Sequence, residues 1–376
     1  MNIMFIGKYP PIEGGESSKL YWLAKGLGEK GHKVTVISNS QEVEEQYKEE
    51  IPVSEMKNLK PKNVSFYSTN PFANIHFIPQ YNPFSEKLTS LALDALEIEK
   101  PDIIVGWYLL PYAIAASNVS KMTKIPFMIQ HAGSDLARIL PNEYLEKYLK
   151  KILESADGIL AYPSSVDYFR ALGIKNVESH NVKIHPDFSP NNKIKETEKK
   201  ALFLGKISKE KGIDYLINCF GKLTALGINL DIYGGGKIIE GVEKLKNVQH
   251  NKSVAPWIIP NIINSHSVLI NPEHRFGIQR HTSRIPLEAI CCGTPVILSR
   301  DIAQKMPYRN MKGTYLEIDP TNINEFAERI IEIIENQDLR EKIKSEQNKA
   351  ATPFKDFDGY ISEMEEIFAK YVFRKP

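Results

Sequence analysis

The chain has 376 residues, 42% apolar and 25% charged, a balance that fits an ordinary globular protein and excludes a disordered or fibrous one. At about 100 to 200 residues per domain, this length predicts two domains, each with its own core. Lysine and arginine number 48 and aspartate and glutamate 46, leaving a net charge of +2, so there is no general attraction for nucleic acid or anionic membrane and any anion site must be local.

The opening "MNIMFIGKYPP" has too short an apolar run for a signal peptide, and its lysine follows the run, so a first strand is expected. "SSKLYWLAKGLGEKG" has helical period, "KVTVIS" reads as a strand, and "DIIVGW", "FMIQH" and "GILAY" follow as nearly all-apolar runs with helical spacers. Such alternation predicts βαβ units and a parallel sheet covered on both faces. The longest apolar segment, "IIVGWYLLPYAIAAS" from Ile103, is shorter than the roughly 20 residues of a membrane span and contains Pro111. "EYLEKYLKKILESA" from Glu143 is basic and amphipathic, a pattern shared by helices with one solvated face and by peripheral membrane contacts.

Residues 185–200, "HPDFSPNNKIKETEKK", lack apolar period and read as a linker. The pattern then restarts with strand "ALFLG", helix "IDYLINCFGKLTALG", strand "NLDIY" before "GGG", and a helix near Ile238 to Lys246. Strands "SVLINP", "TPVILS" and "TYLEID" follow, with the short helix "IPLEAICC" ending at Gly293 and the helices "INEFAERIIEIIENQ" and "YISEMEEIFAKYVF" closing the chain. The expected fold class is α/β, two Rossmann-like doubly wound domains facing across a cleft, with ligands at the carboxyl ends of the strands. Cys219, Cys291 and Cys292 form no disulfide framework or metal spacing, so a reducing, cytoplasmic setting is expected.

Three loops carry candidate chemistry. "GKYPPIEGGESSK" joins the first strand to the first helix, where Gly14 and Gly15 would let an anion approach free backbone N–H groups; alternatively the glycines only turn the chain and Ser17 or Ser18 caps the helix. The loop lacks G-x-G-x-x-G, which argues against NAD or FAD and disfavours a dehydrogenase. "ALFLGKISKEKGIDYL" sets Lys206 and Lys211 around a turn at a helix N-terminus, a placement suited to a diphosphate, or else a solvated lysine loop. "HRFGIQRHTSRIPLEAICCGTPVI" crowds Arg275, Arg280, His281 and Arg284 ahead of Glu288. Glu288 could accept ribose hydroxyls or merely complement the helix dipole, and the cations could bind an anion or face solvent.

In these residues the chain resembles glycosyltransferase family four, retaining enzymes of the GT-B fold also described as group 1. "GKYPPIEGGESSKLYWLAKGLGEKGHKVTVIS" is similar to the family's opening, "FLGKISKEKGIDYLI" to its "G-R-L-x-x-x-K-G", and "IPLEAICCGTPVI" to its "L-E-A-x-x-x-G-x-P-V-I". The resemblance implies an acceptor-side domain over 1–195, a nucleotide-sugar-binding domain over 196–354, and a C-terminal helix, 355–376, packing back on the first. It implies transfer of a sugar from a nucleotide diphosphate sugar to a hydroxyl acceptor (a glycan, a lipid-linked or a small molecule), without metal or cofactor. By the same resemblance Lys206 and Lys211 contact the donor diphosphate, Gly14 and Gly15 lie against it, the helix N-terminus behind Ser283 assists, Glu288 binds the ribose, and His131 lies near the transferred sugar.

Two departures stand out. Lys206 occupies the place of an arginine, keeping the charge and losing the bidentate fork. Arg280 stands where the family has its first glutamate, so either Glu273 serves the sugar from a longer loop or Arg280 and His281 replace it. Other readings are a nucleotide-sugar epimerase or phosphorylase of the same fold, or a non-catalytic nucleotide-sugar-binding subunit.

Overall fold

The computed structural model describes residues 1–71, 82–237, 242–275 and 282–373. Contacts divide the chain into two units, Met1–Glu44 with Ile51–Val182 and Asp358–Pro376, and Glu45–Glu50 with Lys183–Phe357. The chain passes from unit 1 to the main part of unit 2 after Val182, and a six-residue piece of the amino-terminal half, Glu45–Glu50, belongs with the second unit.

In unit 1, β1 (Asn2–Gly7), β2 (Lys33–Ser38), β3 (Val64–Ser68), β4 (Ile103–Trp107), β5 (Phe127–Gln130), β6 (Gly158–Ala161) and β7 (Val177–Ser179) form one sheet in the order β3-β2-β1-β4-β5-β6-β7. Every pairing is parallel; Ile3, for example, is opposite Val34 on one side and Ile103 on the other. All but the first residue of β1 is buried, as a strand with helices on both faces requires. The pleat sends Met4 and Ile6 into a core with Leu88 and Ala92 of α2 (Phe84–Ile98), which follows α1 (Gly15–Glu29), and with Ala116 and Val119 of α3 (Ile114–Thr123). Phe5 points the other way, edge-on to Phe368 of the C-terminal helix Phe357–Val372, with ring centroids 6.1 Å apart. Two shorter helices, α4 (Glu146–Ser155) and α5 (Val166–Ala171), complete the unit.

In unit 2, β8 (Thr197–Leu204), β9 (Asn229–Tyr233), β10 (Val248–Asn251), β11 (His266–Asn271), β12 (Val296–Ser299) and β13 (Leu316–Ile318) form a second parallel sheet, in the order β10-β9-β8-β11-β12-β13. Its helices are α6 (Ile213–Leu223), α7 (Ile259–Asn264), α8 (Ile285–Cys292), α9 (Arg300–Ala303), α10 (Ile323–Glu335) and α11 (Gln337–Ala351). Leu216 and Phe220 of α6 and Phe326 and Ile330 of α10 pack on Ala201 and Phe203 of β8. Asn322 starts α10 by accepting the Glu325 N–H at 3.3 Å, and Asn336 starts α11 by accepting the Leu339 N–H at 3.0 Å.

In each sheet the strand order reverses beside the first strand, between β1 and β4 and between β8 and β11. Loops leaving those strands run to opposite sides, which opens a crevice at the carboxyl ends.

The sequence reading misses three strands, β3, β7 and β10, and each is the edge of its sheet. Edge strands are covered less, and "VQHN" carries no apolar run to reveal it. The helix expected near Ile238 to Lys246 is not what the described part forms: residues 238–241 lie outside the described residues, and Val242–Lys244 make a single 3-10 turn before β10. The expected linker gives up its last four residues to β8, whose Lys200 pairs with Asn229 and bonds Asp231 at 2.7 Å. Among the described residues no helix is long and apolar enough to cross a membrane.

Candidate functional site

At the carboxyl end of β8 the chain turns through Gly205 and Lys206 to a 3-10 turn, Lys209–Lys211, and enters α6 at Gly212. Gly212 has φ +72, and a Cβ there would collide with the Pro272 carbonyl, so only glycine lets this loop lie against the one leaving β11. The two loops are joined across the point of strand reversal. Lys211 Nζ meets Glu273 Oε2 at 2.5 Å, and the His274 N–H donates to the Glu210 carbonyl at 3.1 Å. Glu273 is fully buried while Lys211 keeps partial exposure. The Ser299 hydroxyl, at the end of β12, donates to the Glu273 carbonyl at 2.5 Å. Asp301 accepts the Arg275 N–H at 2.7 Å and lies 3.1 Å from His274 Nδ1.

Lys206 is exposed, and its ammonium sits 4.8 Å from the centre of the Tyr47 ring. The loop that carries it lies against the glycines after β9. The Ile207 N–H donates to the Gly235 carbonyl at 2.8 Å, and a Cβ on Gly234 would strike the Gly205 carbonyl.

Glu288 lies in the first turn of α8, 2% exposed, with Arg284 Nε 3.1 Å from Oε1. The same guanidinium donates through Nη2 to the Lys183 carbonyl at 2.6 Å. One of the crowded cations is thus the internal partner of the glutamate. Ser283 is buried, its hydroxyl accepting from Asn271 Nδ2 at 3.1 Å and its carbonyl accepting from the Tyr308 hydroxyl, which itself accepts the Leu287 N–H. Burial pushes the Tyr308 phenol well above its ordinary value, so it stays protonated for that bond. Arg280 and His281 lie outside the described residues.

In unit 1, α1 begins at Gly15 with Gly14 as its cap and no side-chain cap, so neither Ser17 nor Ser18 takes that role. Of the first-turn residues Gly15 is exposed and Ser17 is fully buried. A Cβ on Gly14 would come within 3.5 Å of Lys8 Nζ. Next to this loop Glu16 bonds Lys19 at 2.7 Å, and Lys19 donates to the Tyr162 hydroxyl at 2.9 Å. His131 is 1% exposed; its Nδ1 faces the Ala132 carbonyl at 3.2 Å and its Nε2 accepts the Tyr162 N–H at 3.4 Å. Both ring nitrogens therefore meet backbone groups. Nearby His180 bonds Gln130 Oε1 at 2.7 Å, and burial, aided by His131 and Lys19, depresses it to about 3.

The sequence reading overlooks Asp135. This acid follows β5, is fully buried, and accepts the N–H groups of Ala132 at 2.8 Å and Leu109 at 3.2 Å. Burial raises it to about 8 against the lowering effect of those two bonds, and neighbouring Glu16 adds to the rise. Beside it the Tyr108 and Ser134 hydroxyls are 2.6 Å apart. The available signal is the acid of "QHAGSD" just past a strand's carboxyl end, the position where open α/β sheets place ligands.

The fold is GT-B, the two-unit architecture of a class of glycosyltransferases. Residues 185–350 match the family model described as glycosyl transferases group 1. The chain is 24% identical to the uncharacterized glycosyltransferase MJ1607 of Methanocaldococcus jannaschii, across 97% of both chains. Among solved structures it is similar to the sucrose-phosphate synthase of Thermosynechococcus elongatus, with a TM-score of 0.68, 13% identity and coverage of 98% and 99% of the two chains. It is also similar to Anabaena HepE, solved in complex with UDP-glucose, with a TM-score of 0.66, 13% identity and coverage of 97% and 99%. The family match and the relatives' names support a glycosyltransferase.

Proposed function

We propose that the chain is a retaining glycosyltransferase that moves a hexosyl group from a nucleotide diphosphate sugar to a hydroxyl of a glycan, lipid-linked or small-molecule acceptor. The observation that carries this reading is the Lys211–Glu273 pair at the reversal between β8 and β11, with Lys206 on the same loop. In the proposed reaction the bond from C1 to the β-phosphate oxygen breaks and a bond from C1 to the acceptor oxygen forms on the same face. The acceptor's proton passes to the departing phosphate. Lys206, Lys211 and the first-turn N–H groups of α6 then stabilise the negative charge that appears on the diphosphate, without a metal ion.

Glu288 would take the ribose hydroxyls, held in place by Arg284. Glu273 would act through Lys211, whose ammonium meets its Oε2. We place the enzyme in the cytoplasm, where its three buried thiols stay reduced.

HepE was solved with UDP-glucose, so UDP-sugars are the first donors to test. The expected result is thermal stabilisation by a nucleoside diphosphate, weakened in Lys206→Ala, and transfer with the donor's anomeric configuration kept, as read by NMR. Inversion at C1 would overturn the retaining step. Product formed without any acceptor would point to an epimerase, and donor binding that ignores Lys206→Ala would remove the site.

A further inference from the structure

We propose that residues 45–50 form a strap of the donor unit and that Tyr47 is a positioning residue for Lys206. The inference rests on the reading of Lys206 as a diphosphate ligand and adds to it a residue from a distant part of the sequence.

The strap is fixed to unit 2 through several separate ties. The Gly236 N–H donates to the Gln46 carbonyl at 3.2 Å, and the Glu50 N–H donates to the Ser253 carbonyl at 2.7 Å. Glu50 forms a parallel bridge with Val254, and Lys252 Nζ lies 3.4 Å from Glu45 Oε1. These partners sit on the loops leaving β9 and β10. The strap therefore runs over the glycine loop that packs on Gly205 and Ile207, and its Tyr47 ring meets the Lys206 ammonium at 4.8 Å.

The chemistry explains why a ring belongs there. An arginine at this place would present a planar fork already shaped for a diphosphate, whereas a lysine presents a point charge on a flexible four-carbon stem. The negative face of an aromatic ring attracts an ammonium and limits where it goes. Tyr47 thus supplies by contact the restraint that lysine lacks by covalent structure. It need not touch the donor to do so.

The test measures binding of UDP, inorganic pyrophosphate and uridine by calorimetry to the wild type, Tyr47→Phe, Tyr47→Leu, Lys206→Gln and the double variant Tyr47→Leu/Lys206→Gln. Tyr47→Leu keeps apolar bulk and removes the ring face. It should weaken UDP and pyrophosphate about two- to fivefold, the worth of an exposed cation–π contact, and leave any uridine binding as it was. Tyr47→Phe should bind as the wild type does, and in the Lys206→Gln background Tyr47→Leu should change nothing further. If Tyr47→Leu binds UDP like the wild type, or weakens it equally with and without Lys206, the positioning role is refuted while the donor reading stands. If the wild type binds neither UDP nor pyrophosphate, the donor reading falls and the proposal with it.

Discussion

Replacing Lys211 by methionine removes the ammonium from Glu273 while keeping much of the stem's packing. The carboxylate left behind is the costly partner, because its side chain is 1% exposed whereas that of Lys211 is 20% exposed. Breaking a buried pair by deleting one member costs about 3–5 kcal/mol. Water that reaches the lysine position favours the lower end, about 3 kcal/mol. For a unit of this size each kcal/mol moves the midpoint by about 2–4 °C, so Lys211→Met should melt roughly 6–12 °C below the wild type. Glu273→Gln leaves only an ammonium that can turn to solvent and should cost less. The double variant Lys211→Met/Glu273→Gln removes the stranded charge and should recover at least about 1 kcal/mol relative to Lys211→Met. Calorimetry and urea unfolding at pH 7 read all four proteins. A Lys211→Met variant within about 0.5 kcal/mol of the wild type, or strict additivity in the cycle, would refute the reasoning.

Asp135 should make stability depend on pH. Its folded pKa of about 8 lies above the ordinary carboxylate value, so the native state holds a proton that the unfolded chain has released. Stability present below about pH 4 is then lost as pH rises toward 8, at no more than about 1.4 kcal/mol per unit. Asp135→Asn cannot ionise and its amide oxygen can accept the same two N–H groups, so its melting-point advantage should grow from pH 5 to pH 8; a constant difference would show that the acid does not titrate there. Gly234→Ala drives a Cβ into the Gly205 carbonyl and should cost about 1–3 kcal/mol, visible as a melting point several degrees lower; an unchanged melting point would mean the two loops do not meet as described.

Much of this architecture is legible in the sequence where one element decides its own structure. The apolar helix "IPLEAICC" and Gly293, which has φ +73, fall where expected, because the run and its left-handed stop are local. Lys206 and Lys211 are findable because the turn after a buried strand has only one end of the sheet to occupy. What each lysine touches is not findable: Glu273 is 62 residues from Lys211, and nothing local ties them. The role of Arg284 as the partner of Glu288 is hidden for another reason, since in a row of cations the sequence cannot say which one turns inward. Asp135 looks like any loop acid until the sheet buries it.

The order of the chain has a practical consequence for anyone dividing this protein. The polypeptide passes between its two units after residues 44, 50, 182 and 357. A cut at the obvious place, between Val182 and Lys183, would produce an amino-terminal fragment stripped of the helix that covers Phe5 and a carboxyl-terminal fragment stripped of its strap. Neither fragment is a complete folding unit, so expressing the halves separately should give poorly soluble products that regain structure when mixed, each lending the other its missing piece.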